Sequence, residues 1–209
     1  LRLRKRKNLA PRLERVGALL WPRDAAAFAG GRPLIVEIGC GMGGFVTALA
    51  GAAGSGGAFL AVERDANVAV RAMERVREAG LDNVRFLLAD AGQLAGILER
   101  GSVDTLYLNF SDPWPHRRHA HRRLTHRRYL RLYQILLKPG GTLAFKTDNR
   151  DLFRFTRHEL EAENWRITAL DEDLPDGPDN IPTEYEARFR ESGRPIFHIQ
   201  AAPGSPPEV

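Results

Sequence analysis

The chain has 209 residues, 43% of them apolar and 27% charged, a size and balance that suit one well-buried core. It offers no membrane-length apolar run, no signal-like N-terminal core and, with Cys40 as its one cysteine, no internal disulfide, which points to a cytoplasmic protein. The net charge of +5 conceals two patches: residues 1–15 hold seven Lys or Arg against one Glu, and residues 116–128 hold six Arg and no acid.

Residues 1–33 read as a basic arm and helix; the chain opens at Leu1 rather than at a methionine, which suggests a trimmed start. Focused charge of this kind attracts polyanions, although a solvated tail would have the same composition. From Leu34 onward, short apolar runs alternate with amphipathic stretches. Runs at 34–38, 58–62, 84–88, 103–108 and 142–145 are largely continuous, the pattern of parallel strands covered on both faces. Ala69, Ala72, Met73, Val76 and Ala79 recur at helical spacing, as do Leu124, Leu130, Ile135 and Leu136. Lys138-Pro139-Gly140-Gly141 is expected to end the second of these helices and turn the chain into the next strand. Two last strands are expected at 165–170 and 195–199, separated by an acidic, proline-rich loop and a short helix. Residues 201–209 read as a loose tail. The alternation predicts an α/β, doubly wound domain over 34–200.

Glu37-Ile38-Gly39-Cys40-Gly41-Met42-Gly43-Gly44 follows the first strand and opens a helix. Gly39, Gly41 and Gly44 satisfy the spacing of a dinucleotide-binding loop, in which glycines let the backbone approach a ligand at a helix N-terminus. Glu63 ends the second strand, about 20 residues on, where a carboxylate can hold two ribose hydroxyls. Asp90, after the third, could reach an adenine amino group. Either acid could instead cap the helix that follows. Glu37 would repel a pyrophosphate but suits a cationic methionyl group, so S-adenosylmethionine is favoured over a nicotinamide cofactor.

The run Asn109-Phe110-Ser111-Asp112-Pro113-Trp114-Pro115 leaves the fourth strand and leads into His116, Arg117, Arg118, Arg122 and Arg123. With Lys146-Thr147-Asp148 and Thr183-Glu184-Tyr185-Glu186 in that order, the chain resembles the bacterial tRNA (guanine-N7-)-methyltransferases from about residue 34 to 199. The resemblance implies a Rossmann-like class I methyltransferase with a seven-stranded, mostly parallel sheet whose last strand is antiparallel. It implies cofactor contacts from Glu37, Gly39, Gly41, Glu63, Asp90, Asn109 and Asp112. Substrate contacts would come from His116, Asp148, Thr183, Glu184, Tyr185 and Glu186, and RNA contacts from Arg117, Arg118, Arg122 and Arg123. The family usually has lysine where this chain has His116, which carries no constant charge at neutral pH.

Guanine N7 is an unprotonated acceptor, so its methylation needs alignment and charge stabilisation rather than a general base. Asp112 is the expected catalytic carboxylate, although aspartate before proline also starts turns. Trp114 could stack on a flipped base or pack the loop. Asp148 could cap a helix starting near Arg150, and Thr183 with Glu186 has the form of a capping box. Arginines crowd the histidines at 116, 119, 121 and 126, so no metal is expected. The implied reaction is methylation of N7 of guanosine 46 in the tRNA variable loop, by a monomer or homodimer. Alternatives are a methyltransferase acting on an exocyclic amine, a nicotinamide oxidoreductase and a non-catalytic RNA-binding module.

Overall fold

The computed structural model of the chain describes residues 8–21, 28–177 and 180–204. Most of the basic arm, residues 1–7, lies outside these, as do 205–209 of the expected tail. Among the described residues, no helix is long and apolar enough to cross a membrane. The chain divides into two compact units, Leu1–Asp90 and Ala91–Val209.

The first unit holds α1 (Leu9–Arg15), β1 (Leu34–Ile38), α2 (Gly44–Ala53), β2 (Ala58–Val62), α3 (Ala66–Glu78) and β3 (Val84–Leu87). Its strands are parallel, with Ile38 level with Val62 and Val62 level with Leu87, so the segments after all three strands leave along one edge. β2 is buried along its whole length, as its unbroken apolar run requires. Helix α3 starts where the Asp65 side chain accepts from the Asn67 N–H at 2.8 Å, and it buries Ala69, Val70, Ala72, Met73 and Val76. Ala79, expected on that face, is the exposed C-cap. Burying a side chain such as Met73 contributes roughly 1.5–3 kcal/mol. Helix α1 joins this core through Leu9 and Leu13, and Arg12 Nε donates to Glu74 Oε1 of α3 at 2.8 Å.

The second unit holds β4 (Val103–Asn109), α4 (Arg127–Leu136), β5 (Leu137–Thr147), α5 (Arg150–Ala162), β6 (Trp165–Asp171), α6 (Glu184–Glu191) and β7 (Phe197–Pro203). β4 and β5 run parallel, and β7 is antiparallel to both β5 and β6. The seven strands are ordered β3-β2-β1-β4-β5-β7-β6, an α/β sheet that is mostly parallel with an antiparallel last strand, as expected.

Three local expectations change. Lys138-Pro139-Gly140-Gly141 does not separate helix from strand: β5 already pairs at Leu137 with Val103, and pairing resumes at Thr142 with Thr105 after an irregularity. Gly141 permits it, since a Cβ there would sit 3.0–3.1 Å from three backbone oxygens. Helix α4 begins at Arg127, leaving Leu124 outside and Ile135 38% exposed, while Tyr129 and Tyr133 join Leu130 and Leu136 in the core. The tail is shorter than expected, because Ala201, Ala202 and Pro203 pair with Ile167, Arg166 and Trp165.

Candidate active site

In the first unit the site is built on the glycine loop. The N–H groups of Gly39 and Cys40 both donate to the Val62 carbonyl, at 2.8 and 3.1 Å, which bends the chain off β1 over the end of β2. Gly39, Gly41 and Gly43 have φ of 78°, 56° and 77°, the left-handed region that glycine enters without penalty. Gly43 and Gly41 need to be glycine for different reasons. A Cβ at Gly43 would lie 2.6 Å from that of Ala72, so this position lets the loop pack on α3. A Cβ at Gly41 would meet nothing within 4 Å, so that side of the loop is open.

Glu63 does not cap α3; Asp65 does. The Glu63 carboxylate instead accepts from the Gly41 N–H at 3.2 Å and the Asp65 N–H at 2.9 Å, so it is fixed against the glycine loop while partly exposed. Glu37 is 4% exposed at the end of β1, and Asp90 is exposed in the segment beyond β3. An open glycine face and a carboxylate held beside it fit a nucleoside ligand with ribose hydroxyls. Burial pushes the Cys40 thiol well above its ordinary value, helped by Glu37 and Glu63, so this cysteine is protonated and inert.

In the second unit, β4 ends at Asn109 and the Phe110 N–H donates to the Lys146 carbonyl at 2.9 Å. Asp112 follows, exposed, in a turn bounded by two bulky residues of positive φ, Phe110 at 49° and Trp114 at 41°. Such a conformation costs of order 1–3 kcal/mol per residue and persists where surrounding contacts enforce it. Arg123 supplies two of those contacts, donating from Nε to the Pro113 carbonyl at 2.9 Å and from Nη2 to the Trp114 carbonyl at 3.1 Å. Arg122 lies over the Trp114 ring at 4.9 Å and His119 meets its edge, so the indole packs the loop.

His116 precedes a 3-10 turn, Arg117–Arg122, in which Arg117, Arg118 and Arg122 are exposed. The segment is then anchored to α5: Thr156 Oγ1 donates to the buried Thr125 hydroxyl at 2.8 Å, and Arg127 makes three bonds to Glu159. Arg123 itself is half-buried over Phe155, and desolvation draws its pKa down, opposed by Asp151 and Glu159.

Asp148 accepts from Arg194 at 3.2 Å, and the cap of α5 is its neighbour Asn149, which accepts from the Leu152 N–H at 2.8 Å. Thr183 caps α6 by accepting from the Glu186 N–H at 2.9 Å, but the Glu186 side chain does not return the bond as a capping box would. It is fully buried and accepts from Asn180, Arg190 and Lys146, at 2.6, 2.9 and 3.1 Å. Burial pushes the Glu186 carboxyl up, but these donors outweigh it and hold the group below its ordinary value. Burial likewise draws Lys146 down, against the attraction of Glu186. Glu184 and Tyr185 are exposed, and Phe110 lies 5.7 and 6.4 Å from the rings of Phe189 and Tyr185.

Lys146, Asn180, Arg190 and Arg194 were not anticipated as site residues. One signal was legible: a lysine directly after the apolar run 143–145 must be partnered if that strand is buried. Among the described residues, no group of three or more His, Cys, Asp or Glu side chains could hold a metal ion.

This framework, a mostly parallel sheet with an antiparallel last strand and a glycine loop after its first strand, is that of the Rossmann-like methyltransferases. A solved antibiotic-related methyltransferase is similar in fold, with a TM-score of 0.67 at 17% identity over 87% of this chain and 95% of that one. Residues 31–199 match the family described as "Putative methyltransferase". The chain is 42% identical to the tRNA (guanine-N(7)-)-methyltransferase of Staphylococcus carnosus, over 81% of each chain. It is 41% identical to the enzyme of that name from Staphylococcus haemolyticus, over 81% of this chain and 80% of the relative. The chain belongs to the tRNA (guanine-N7-)-methyltransferase family.

Proposed function

We propose that the protein methylates N7 of guanosine 46 in the variable loop of tRNA, in the cytoplasm, with S-adenosylmethionine as donor. The observation that carries this reading is the exposed Asp112, held in a strained turn and continuous with a run of exposed arginines, in a chain of this family. When bound, S-adenosylmethionine supplies a methyl group on a positively charged sulfur. Glu37, Gly39, Gly41, Glu63 and Asp90 would hold it, with Glu63 on the ribose and the open side of Gly41 against the ligand. Asn109 and Asp112 are further cofactor contacts that the family resemblance implies.

The residues of the second unit then have two tasks. Guanine N7 needs no base, so what the protein must do is align it and stabilise the charge that develops as the new N7–carbon bond forms and the sulfur–carbon bond breaks. Asp112 supplies a fixed negative charge for the purine. Asp148, steadied by Arg194, and the exposed Glu184 and Tyr185 offer the base polar and aromatic contacts, with His116 beside the turn. Thr183 and Glu186 shape that surface from beneath. Exposed Arg117, Arg118 and Arg122 would take backbone phosphates, the contacts that position RNA without reading its sequence.

The test is to incubate the protein with unmodified tRNA and labelled S-adenosylmethionine and to map the product nucleoside by mass spectrometry. 7-Methylguanosine in the variable loop is expected. Label on an exocyclic amine would replace this reading with the other methyltransferase class, and tight tRNA binding without label would favour a non-catalytic module.

A further inference from the structure

The basic segment is not uniform. Arg117, Arg118 and Arg122 are exposed, whereas Arg123 is turned inward and half-buried. Its guanidinium bridges two successive carbonyls, those of Pro113 at 2.9 Å and Trp114 at 3.1 Å, while its face lies 4.3 Å from the centre of the Phe155 ring. These carbonyls belong to the residues immediately after Asp112, inside the span whose ends, Phe110 and Trp114, have φ of 49° and 41°. The arginine itself is fixed: its N–H donates to the Ala120 carbonyl at 3.0 Å, and two residues on Thr125 is bonded to Thr156 of α5. Arg123, extended at the end of the 3-10 turn 117–122 and tied down through Thr125 to α5, thus grips a strained turn ten residues earlier in the chain.

We propose that Arg123 is a positioning residue, which holds Asp112 at its working place by clamping the Pro113 and Trp114 carbonyls instead of contacting RNA phosphate. This rests on the role given to Asp112 above. Two N–H donors on a planar fork match two neighbouring oxygens while the same plane stacks on Phe155, a geometry that an ammonium on a flexible stem does not reproduce. Release of the clamp lets the turn relax toward ordinary backbone angles and carries the carboxylate with it. A displacement near 1 Å at a reacting centre lowers turnover by about 100-fold.

The experiment compares Arg123→Ala, Arg123→Lys and Arg118→Ala in the full chain. It reads amide exchange of residues 110–116, tRNA affinity against salt, and turnover at saturating tRNA. Both Arg123 variants should exchange faster over 110–116 and lose about 100-fold in turnover, with the salt slope of tRNA binding unchanged. Added guanidinium ion should restore part of the Arg123→Ala activity. Arg118→Ala should lower the salt slope by about 1 and leave exchange over 110–116 as it was.

Unchanged exchange over 110–116 in the Arg123 variants overturns the proposal. So does a salt slope reduced by about 1 with turnover intact, which would make Arg123 a phosphate contact. Should Arg123→Ala not fold, Arg123→Lys carries the same readouts. Exchange is measured without any reaction, so a wild-type protein that fails to methylate tRNA would refute the proposed function while the clamp is still judged.

Discussion

Lys146→Met is the substitution whose effect follows most directly from the structure. Lys146 is 7% exposed and donates to Glu186 Oε2 at 3.1 Å, to the Ile181 carbonyl at 3.2 Å and to Asn180. Methionine fills a similar volume but leaves a fully buried carboxylate with one cation fewer. Removing one partner of a buried pair costs about 3–5 kcal/mol. Arg190 still donates to Glu186 Oε1 at 2.9 Å, so the lower end applies, about 3 kcal/mol. For a protein of this size each kcal/mol moves Tm by about 2–4 °C, so a fall of roughly 6–12 °C is expected by calorimetry. Lys146→Met/Glu186→Leu should be less destabilised than the two single changes added together, by about 0.5–3 kcal/mol, because the orphaned carboxylate is gone. A shift in Tm below about 2 °C for the single variant, or strict additivity in the double, would refute the argument.

Asp112→Ala should abolish methyl transfer while tRNA affinity stays close to wild type; near-normal turnover in a labelled-methyl assay would remove this residue from the mechanism. Gly43→Ala should cost about 2–4 kcal/mol in denaturant unfolding, since it adds overpacking against Ala72 to the strain of a φ of 77°. Gly41→Ala, with open space around its Cβ, should cost only about 1–2 kcal/mol while weakening S-adenosylmethionine binding measured by calorimetry. Equal losses of stability would mean that the two glycines have one role. In acid, Glu74 and Glu163 are held below the ordinary value of 4.5 chiefly by hydrogen bonds from Arg12 and Arg131. Glu159 and Glu186 are below it too, despite burial that opposes this. A depressed carboxyl stabilises the fold above its unfolded pKa and ceases to as pH falls through the folded one. Through these carboxylates Tm should therefore fall below about pH 4.5; a level profile from about pH 5 down to about pH 3 would contradict these pairings.

Much of this protein is local and can be read along the chain. The unbroken apolar run 58–62 and the run 34–38, interrupted by Glu37, marked β2 and β1 to the residue, because a strand buried on both faces tolerates few polar positions. The glycine loop was legible in part: Gly39 and Gly41, singled out by their spacing, have positive φ, whereas the third such position is Gly43 and Gly44 opens α2. So was the family, whose motifs are contiguous strings. What the sequence left undecided were choices between neighbours and between partners distant in the chain. Asp148 had the place of the cap of α5, but the fold gave that task to its neighbour Asn149 and paired Asp148 with Arg194. Glu186 had the spacing of a capping box, yet Lys146, 40 residues earlier, drew its side chain inward. Four arginines at 117, 118, 122 and 123 look alike in a string. Tertiary structure separated them, because a guanidinium facing water can wait for a phosphate, whereas one buried over Phe155 needs acceptors at once and finds them in the Pro113 and Trp114 carbonyls.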